Sequence, residues 1–127
     1  MPNLSKWRIL IVEDEPDGQE VAAEMLSHFN IVTDVAGTAE EALEMLDQQH
    51  YSAAIIDLAL PRMDGLELLR MIRNNPSMLY LPCIVYTAFH SSLVKKQALE
   101  AGCNAYLTKP VDDKRFFTEL SRIIREP

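Results

Sequence analysis

Positive charge is scarce in this chain. Lys and Arg number 12 against 19 Asp and Glu, a net charge of −7 over 127 residues, which is the wrong sign for a protein that binds by neutralising nucleic acid phosphates. Long apolar runs are missing too. The longest, such as Ile9 to Val12 and Ala53 to Ile56, fall far short of the ~20 residues of a membrane helix, so insertion into a membrane is not expected. Met1 to Trp7 lacks the apolar core of a secretory signal, which points to the cytoplasm and to free thiols at the two cysteines, Cys83 and Cys103. Cys83 sits inside an apolar run and reads as a small buried hydrophobe, and neither cysteine is given a role. Glycine is sparse, at 4 residues, and none falls in the turn after the first apolar run. That argues against a Gly-rich phosphate cradle there.

What is present fits one folded domain. The composition is 48% hydrophobic and 24% charged, near the globular average, and a chain of this length buries ~70% of the surface it would expose unfolded. The charge is uneven: residues 1–64 hold 13 acids and 3 bases, and residues 65–127 hold 6 acids and 9 bases.

The pattern of apolar residues predicts strands and helices in strict alternation. Arg8 to Val12 is β-rich and apolar without a polar alternate, as expected for a strand covered on both faces. After the Glu13-Asp14-Glu15-Pro16 break, Ala22, Met25, Leu26 and Phe29 share a helix face, and Ile31 to Val35 is the second strand. Thr38 with Glu41 forms a capping box for a helix carrying Ala39, Ala42, Leu43 and Leu46. Ala53 to Asp57 is the third strand, and a helix with Leu66, Leu69 and Ile72 follows the Asp64-Gly65 turn, which is given no chemistry. Cys83 to Thr87, a helix from Ser92 to Ala101 stopped at Gly102, Ala105 to Thr108, and a helix from about Asp112 to Arg125 complete the run. This is an α/β, doubly wound (flavodoxin-like) fold: a five-stranded parallel sheet with about five helices on two faces.

In such a sheet the site lies outside the carboxyl ends of the strands. The residues there are Glu13 and Asp14, Asp57, Thr87, and Lys109. Three carboxylates are expected to converge, and two such charges ~4 Å apart repel by about 4 kcal/mol at an effective dielectric near 20, so a cation must offset them. Hard oxygen ligands suit Mg²⁺ or Mn²⁺. An acceptor carboxylate, a metal, a lysine and a hydroxyl donor are the parts that phosphoryl transfer needs.

Ile11-Val12-Glu13-Asp14-Glu15, Ile55-Ile56-Asp57 through Met63-Asp64-Gly65, Tyr86-Thr87-Ala88, and Tyr106-Leu107-Thr108-Lys109-Pro110 together resemble the receiver domain of bacterial two-component response regulators. The resemblance runs from about Arg8 to Arg125. It implies strand order 2-1-3-4-5, and a single receiver domain over residues 1–127, ordered from about 7 to 125, with no output domain in this chain. It also implies that Asp57 accepts a phosphoryl group from a histidine kinase or histidine phosphotransfer protein, and that Glu13, Asp14, Asp57 and the backbone carbonyl of Ala59 hold Mg²⁺ (or Mn²⁺). Thr87, Lys109 and the Ala88 N–H would bind the phosphoryl oxygens. Thr87 and Tyr106 would switch the face of the fourth helix, fifth strand and fifth helix toward a downstream protein, with a phosphorylation-dependent dimer among the outcomes. Val21, Pro110 and Val111 would contact the kinase. Turnover is limited to self-phosphorylation and autodephosphorylation.

Two departures from the family pattern carry expectations. The acidic pair is Glu-Asp where Asp-Asp is commoner. Ala59 and Phe89, at positions that influence acyl phosphate hydrolysis in the family, are both apolar, so the phosphorylated form is expected to be long-lived. Rival readings lose on particular residues. An aspartyl phosphatase needs a second acid two residues after its nucleophile, where Ala59 stands, and a nucleotide or flavin binder needs the cradle noted above. A receiver-like scaffold that works without phosphorylation stays open. Tyr106 also reads as a half-covered strand aromatic. His28, His50 and His90 share no metal-ligand spacing and are placed at the surface. Lys95, Lys96, Lys114, Arg115, Arg122 and their basic neighbours suit an acidic protein partner if they lie on the signalling face.

Overall fold

A computed structural model describes residues 6–89 and 91–124. His90 and Arg125 lie outside the described residues, and so does the end of the expected core at 125. The elements are β1 (Arg8–Val12), α1 (Pro16–Ser27), β2 (Val32–Ala36), α2 (Ala39–Gln48), β3 (Ala53–Ile56), α3 (Gly65–Asn74), β4 (Cys83–Thr87), α4 (Ser92–Ala101), β5 (Ala105–Thr108) and α5 (Asp113–Ile123). All strand pairs are parallel, in the order β2-β1-β3-β4-β5. No helix among the described residues is long and apolar enough to cross a membrane.

The uninterrupted apolar strands are explained by two cores, one on each face of the sheet. Leu10, Val12, Ala54, Ile56, Cys83 and Val85 face α2, α3 and α4, where Ala42, Leu68, Leu69, Ile72 and Ala98 meet them. Ile9, Ile11, Ala53, Ile55, Ile84 and Tyr86 point the other way, against Ala22 and Leu26 of α1 and Phe116 and Leu120 of α5. The period of two is thus kept, with both alternating sets buried. Cys83 and Cys103 are buried free thiols, and burial pushes them up to about 12 and about 11. Both are therefore un-ionised packing groups at neutral pH.

Helix ends follow their cap residues. Thr38, Asp64, Ser91 and Asp112 each accept a backbone N–H three residues on, and Gly102 ends α4 with φ 109°. Some expected boundaries move, and one buried helix face changes. β2 begins at Val32, and Phe29 lies past the end of α1, where it stacks on Phe117 with ring centroids 4.4 Å apart. In α3, Leu68 joins Leu69 and Ile72 on the buried face and Leu66 is only partly covered.

One arginine ties the far side of this layer together. Arg73, near the end of α3, donates from Nε to Gly102 O (2.9 Å), from one terminal nitrogen to Leu79 O (2.9 Å) and Leu81 O (2.7 Å), and from the other to Asn104 Oδ1 (3.0 Å). It thereby joins α3, the entry to β4, the end of α4 and the entry to β5. Only Ala98 of α4 is buried, and Leu93 and Leu99 are exposed.

Candidate functional site

Each expected polar residue follows a strand whose hydrogen bonding fixes its backbone. Glu13 N–H donates to Ala36 O of β2 (3.0 Å), Asp57 N–H to Val12 O of β1 (3.0 Å), and Lys109 N–H to Thr87 O of β4 (2.8 Å). The sheet therefore delivers Glu13, Asp57, Thr87 and Lys109 to one edge, across up to 96 residues of sequence.

Lys109 is the hub of the cluster. Its Nζ donates to Glu13 Oε1 (2.5 Å) and Asp57 Oδ2 (2.8 Å) and lies 5.5 Å from the centroid of the Tyr86 ring. The other oxygen of Asp57, Oδ1, accepts from Thr87 Oγ1 (3.0 Å) and from the Ala59 N–H (3.0 Å). Glu13, Asp57 and Thr87 are all buried, so both carboxylates need these partners.

Their acidities are pushed apart. Burial would raise the Asp57 carboxyl, but the bonds from Lys109, the Ala59 N–H and Thr87, with the lysine charge, outweigh it and hold the group below the ordinary carboxylate range. Glu13 goes the other way: burial and the nearby Asp57 charge lift it, and Lys109 and the Glu15 N–H offset only part. Burial pulls the Lys109 ammonium down, and its two carboxylate partners more than restore it. Asp57 is thus a committed carboxylate at neutral pH, with a permanent cation beside it.

Of the three carboxylates expected to converge, two share Lys109. Glu13 and Asp57 meet, while Asp14 is exposed, and among the described residues no three His, Cys, Asp or Glu side chains gather as a metal cluster. The chain's own ammonium sits between the two buried charges and offsets their repulsion. The donor chemistry nevertheless fits a hard divalent cation: carboxylates on Glu13 and Asp57, a rim carboxylate on Asp14, and the carbonyl of exposed Ala59, with oxygen as the ligand atom throughout.

The remaining expected residues follow β4 and β5 or lie on the surface. Ala88 and Phe89 are exposed beyond Thr87. The Tyr106 hydroxyl donates to Phe89 O (2.8 Å), and Phe89 N–H lies 3.5 Å from Thr87 Oγ1, so strand-end hydroxyl, connecting loop and tyrosine form one chain of contacts. The Lys109–Pro110 peptide is cis, Pro110 and Val21 are exposed, and the Val111 N–H donates to Tyr86 Oη (3.4 Å). His28 is a surface residue paired with Asp113 (2.6 Å).

Sequence reasoning missed three supports. A Cβ on Gly65 would lie 2.6 Å from Asp57 O and 2.7 Å from Leu58 Cα, so this glycine lets α3 start against the backbone that carries Asp57. Gln19 Nε2 donates to Glu13 O (2.7 Å). Gly18 packs against the Glu13 side chain; a glycine inside a helix with no turn to make was the available signal.

A sequence profile described as the response regulator receiver domain matches residues 9–121. The chain is 36% identical over 126 residues to an uncharacterized 14.6 kDa protein in the sodA1 3' region of Leptolyngbya boryana, covering 99% of this chain and 93% of that one. It is 40% identical over 103 residues to the transcriptional regulatory protein PmrA of Pectobacterium parmentieri, covering 81% of this chain but only 46% of that longer protein. Among solved structures, the receiver domain of the sensor histidine kinase PA1611 from Pseudomonas aeruginosa, with a magnesium ion coordinated in its active site cleft, superposes with a TM-score of 0.86. It is 31% identical, over 93% of this chain and 97% of that one.

Proposed function

The chain belongs to the response regulator receiver domain family, and from that premise we propose that it is a phosphorylation-controlled switch whose acceptor is Asp57. The observation that carries this reading is the bonding of Asp57: a buried carboxylate held ionised by Lys109, with Thr87 and a backbone N–H on its second oxygen. A carboxylate oxygen of Asp57 attacks the phosphorus of a phosphohistidine on a histidine kinase or phosphotransfer protein. The P–N bond breaks, its electron pair leaves with the imidazole, and an acyl phosphate forms on Asp57. Lys109, the Thr87 hydroxyl and the Ala88 N–H take the phosphoryl oxygens and stabilise the charge spread over them. Glu13, Asp14, Asp57 and the Ala59 carbonyl would hold Mg²⁺, or Mn²⁺, which when bound would supply positive charge to offset that of the phosphoryl oxygens.

Thr87, engaged by the phosphoryl group, carries the Phe89 loop and Tyr106 with it and biases the face of α4, β5 and α5. The downstream partner is a protein with an acidic surface that meets exposed Lys95 and Lys96, or a second copy. Val21, Pro110 and Val111 flank the approach of the donor, and the exchange takes place in the cytoplasm. The apolar side chains of Ala59 and Phe89 cannot orient a water for hydrolysis, so the acyl phosphate is long-lived.

Intact-mass spectrometry after incubation with acetyl phosphate, with and without Mg²⁺, tests the reading. A metal-dependent gain of one phosphoryl group, absent in Asp57→Asn, supports it. No gain from acetyl phosphate or from a phosphorylated histidine kinase overturns it in favour of a phosphorylation-independent scaffold.

A further inference from the structure

Gly18 is the third residue of α1, a place where glycine weakens a helix relative to alanine. Its backbone does not ask for glycine, since Gly102 is the glycine with positive φ among the described residues. The reason is steric and specific. A Cβ built at position 18 would collide with Glu13 Oε1 and lie 2.7 Å from Glu13 Cδ and 3.0 Å from Glu13 Cγ. All three nearest atoms belong to one side chain, and it is a side chain of the site.

Glu13 is held along its length. Its backbone carbonyl accepts from Gln19 Nε2 (2.7 Å), Oε2 accepts from the Glu15 N–H (3.3 Å), and Oε1 accepts from Lys109. The side chain passes under the first turn of α1, over the open spot at Gly18, and reaches the lysine while staying 5% exposed. Truncation of this side chain to alanine would remove all three of those atoms. Glu13 and Gly18 therefore fit each other as a pair.

We infer that Gly18 is a positioning residue: by leaving room for the Glu13 side chain it fixes where that carboxylate stands relative to Lys109 and Asp57. A side chain at 18 drives the Glu13 carboxylate out of the cluster, leaving Lys109 with one partner and the site without a buried oxygen donor. This rests on the reading above insofar as Glu13 holds the divalent cation. The steric part stands by itself.

The test is a cycle of Gly18→Ala, Glu13→Ala and the double variant. Mg²⁺ alone is titrated calorimetrically into each protein, and thermal midpoints are recorded in chelator. Gly18→Ala is expected to weaken Mg²⁺ binding by about tenfold, the scale of losing a group that orients a metal ligand, and to lower the midpoint. In the Glu13→Ala background the same change should leave the residual affinity within about twofold and hold or raise the midpoint, because the helix gains alanine and nothing is displaced. Equal cost in both backgrounds would mean that Gly18 serves the helix and not Glu13, and would overturn the inference. So would unchanged affinity in the single variant. If the unaltered protein binds no Mg²⁺, the metal reading above fails, and the midpoint cycle in chelator still decides whether positions 13 and 18 are coupled.

Discussion

Replacing Lys109 by methionine isolates what the ammonium does for the fold. It removes one positive charge and leaves Glu13 and Asp57 facing each other in a pocket where their side chains are only 5% and 10% exposed. Both carboxylate oxygens lie within 2.8 Å of one nitrogen, so they are less than ~6 Å apart and repel by about 3 kcal/mol at an effective dielectric near 20. Removing one member of a buried ionic cluster costs ~3–5 kcal/mol. Discounted for the partial exposure of Lys109, the expected loss is about 2–4 kcal/mol at pH 7.5, or roughly 1–2 M in urea midpoint. Adding Asp57→Asn to the variant should return at least half of it, because one carboxylate is then neutral.

The pH dependence follows from the direction of each shift. Lys109 is raised, so its stabilisation is complete below its unfolded value and is lost only as pH climbs through its folded one. Asp57 is lowered, so its share is present above the ordinary carboxylate value and is lost as pH falls through the folded one. Glu13 is raised, so its ionisation weighs against the fold increasingly as pH rises through its folded value. Without the lysine both carboxyls move up, and Lys109→Met should regain stability between pH 7.5 and 5.5, a window in which the unaltered protein changes less. Urea denaturation in chelator, followed by circular dichroism, measures all of this. A loss below ~0.5 kcal/mol, or no recovery on adding Asp57→Asn, would refute the reasoning.

Three further expectations can be checked in the same way. Gly65→Ala forces a methyl against the backbone of Asp57 and Leu58, which cannot yield as a side chain can; a loss of ~2–4 kcal/mol in thermal or urea unfolding is expected. Arg73→Met removes four hydrogen bonds at once and should cost about 2–4 kcal/mol. Arg73→Lys should recover less than half of that, because an ammonium cannot reproduce the planar fork. Ala59→Asn combined with Phe89→Glu introduces groups that can orient water, and the half-life of the phosphorylated protein, followed by mass spectrometry, should fall roughly tenfold or more; an unchanged half-life removes these positions from the account.

The fold was readable because its signals are local. A strand buried on both faces announces itself by four or five apolar residues without alternation, as at Ile9 to Val12, and the cap residues Thr38, Asp64 and Asp112 and the stop at Gly102 lie within one turn of what they end. The strand-end polar residues were readable for the same reason. The pairing of Glu13 and Asp57 through Lys109 was not, because that lysine lies 96 and 52 positions from its two partners in the chain. The fork of Arg73 and the close approaches at Gly18 and Gly65 were hidden likewise: each is a fit between surfaces brought together only by the crossovers. The shift of β2 by one residue reflects an edge strand, where Val32 and Val35 stay exposed and burial does not sharpen the boundary.

Helix α4 is fastened unequally, and this has a mechanical consequence. Its last turn is bolted: Ala98 is its one buried residue, the Gly102 N–H bonds back to Ala98 O and Leu99 O, and the Gly102 carbonyl is gripped by Arg73. Its first turn, with Leu93 in solvent, follows the loop in which the Phe89 carbonyl receives Tyr106. A rod of ten residues is ~15 Å long, so a tilt of ~10° about the bolted end carries the free end ~2.5 Å while the other barely stirs. Any tilt of the helix would therefore pivot at Gly102, and its displacement would be largest at the end that follows Phe89.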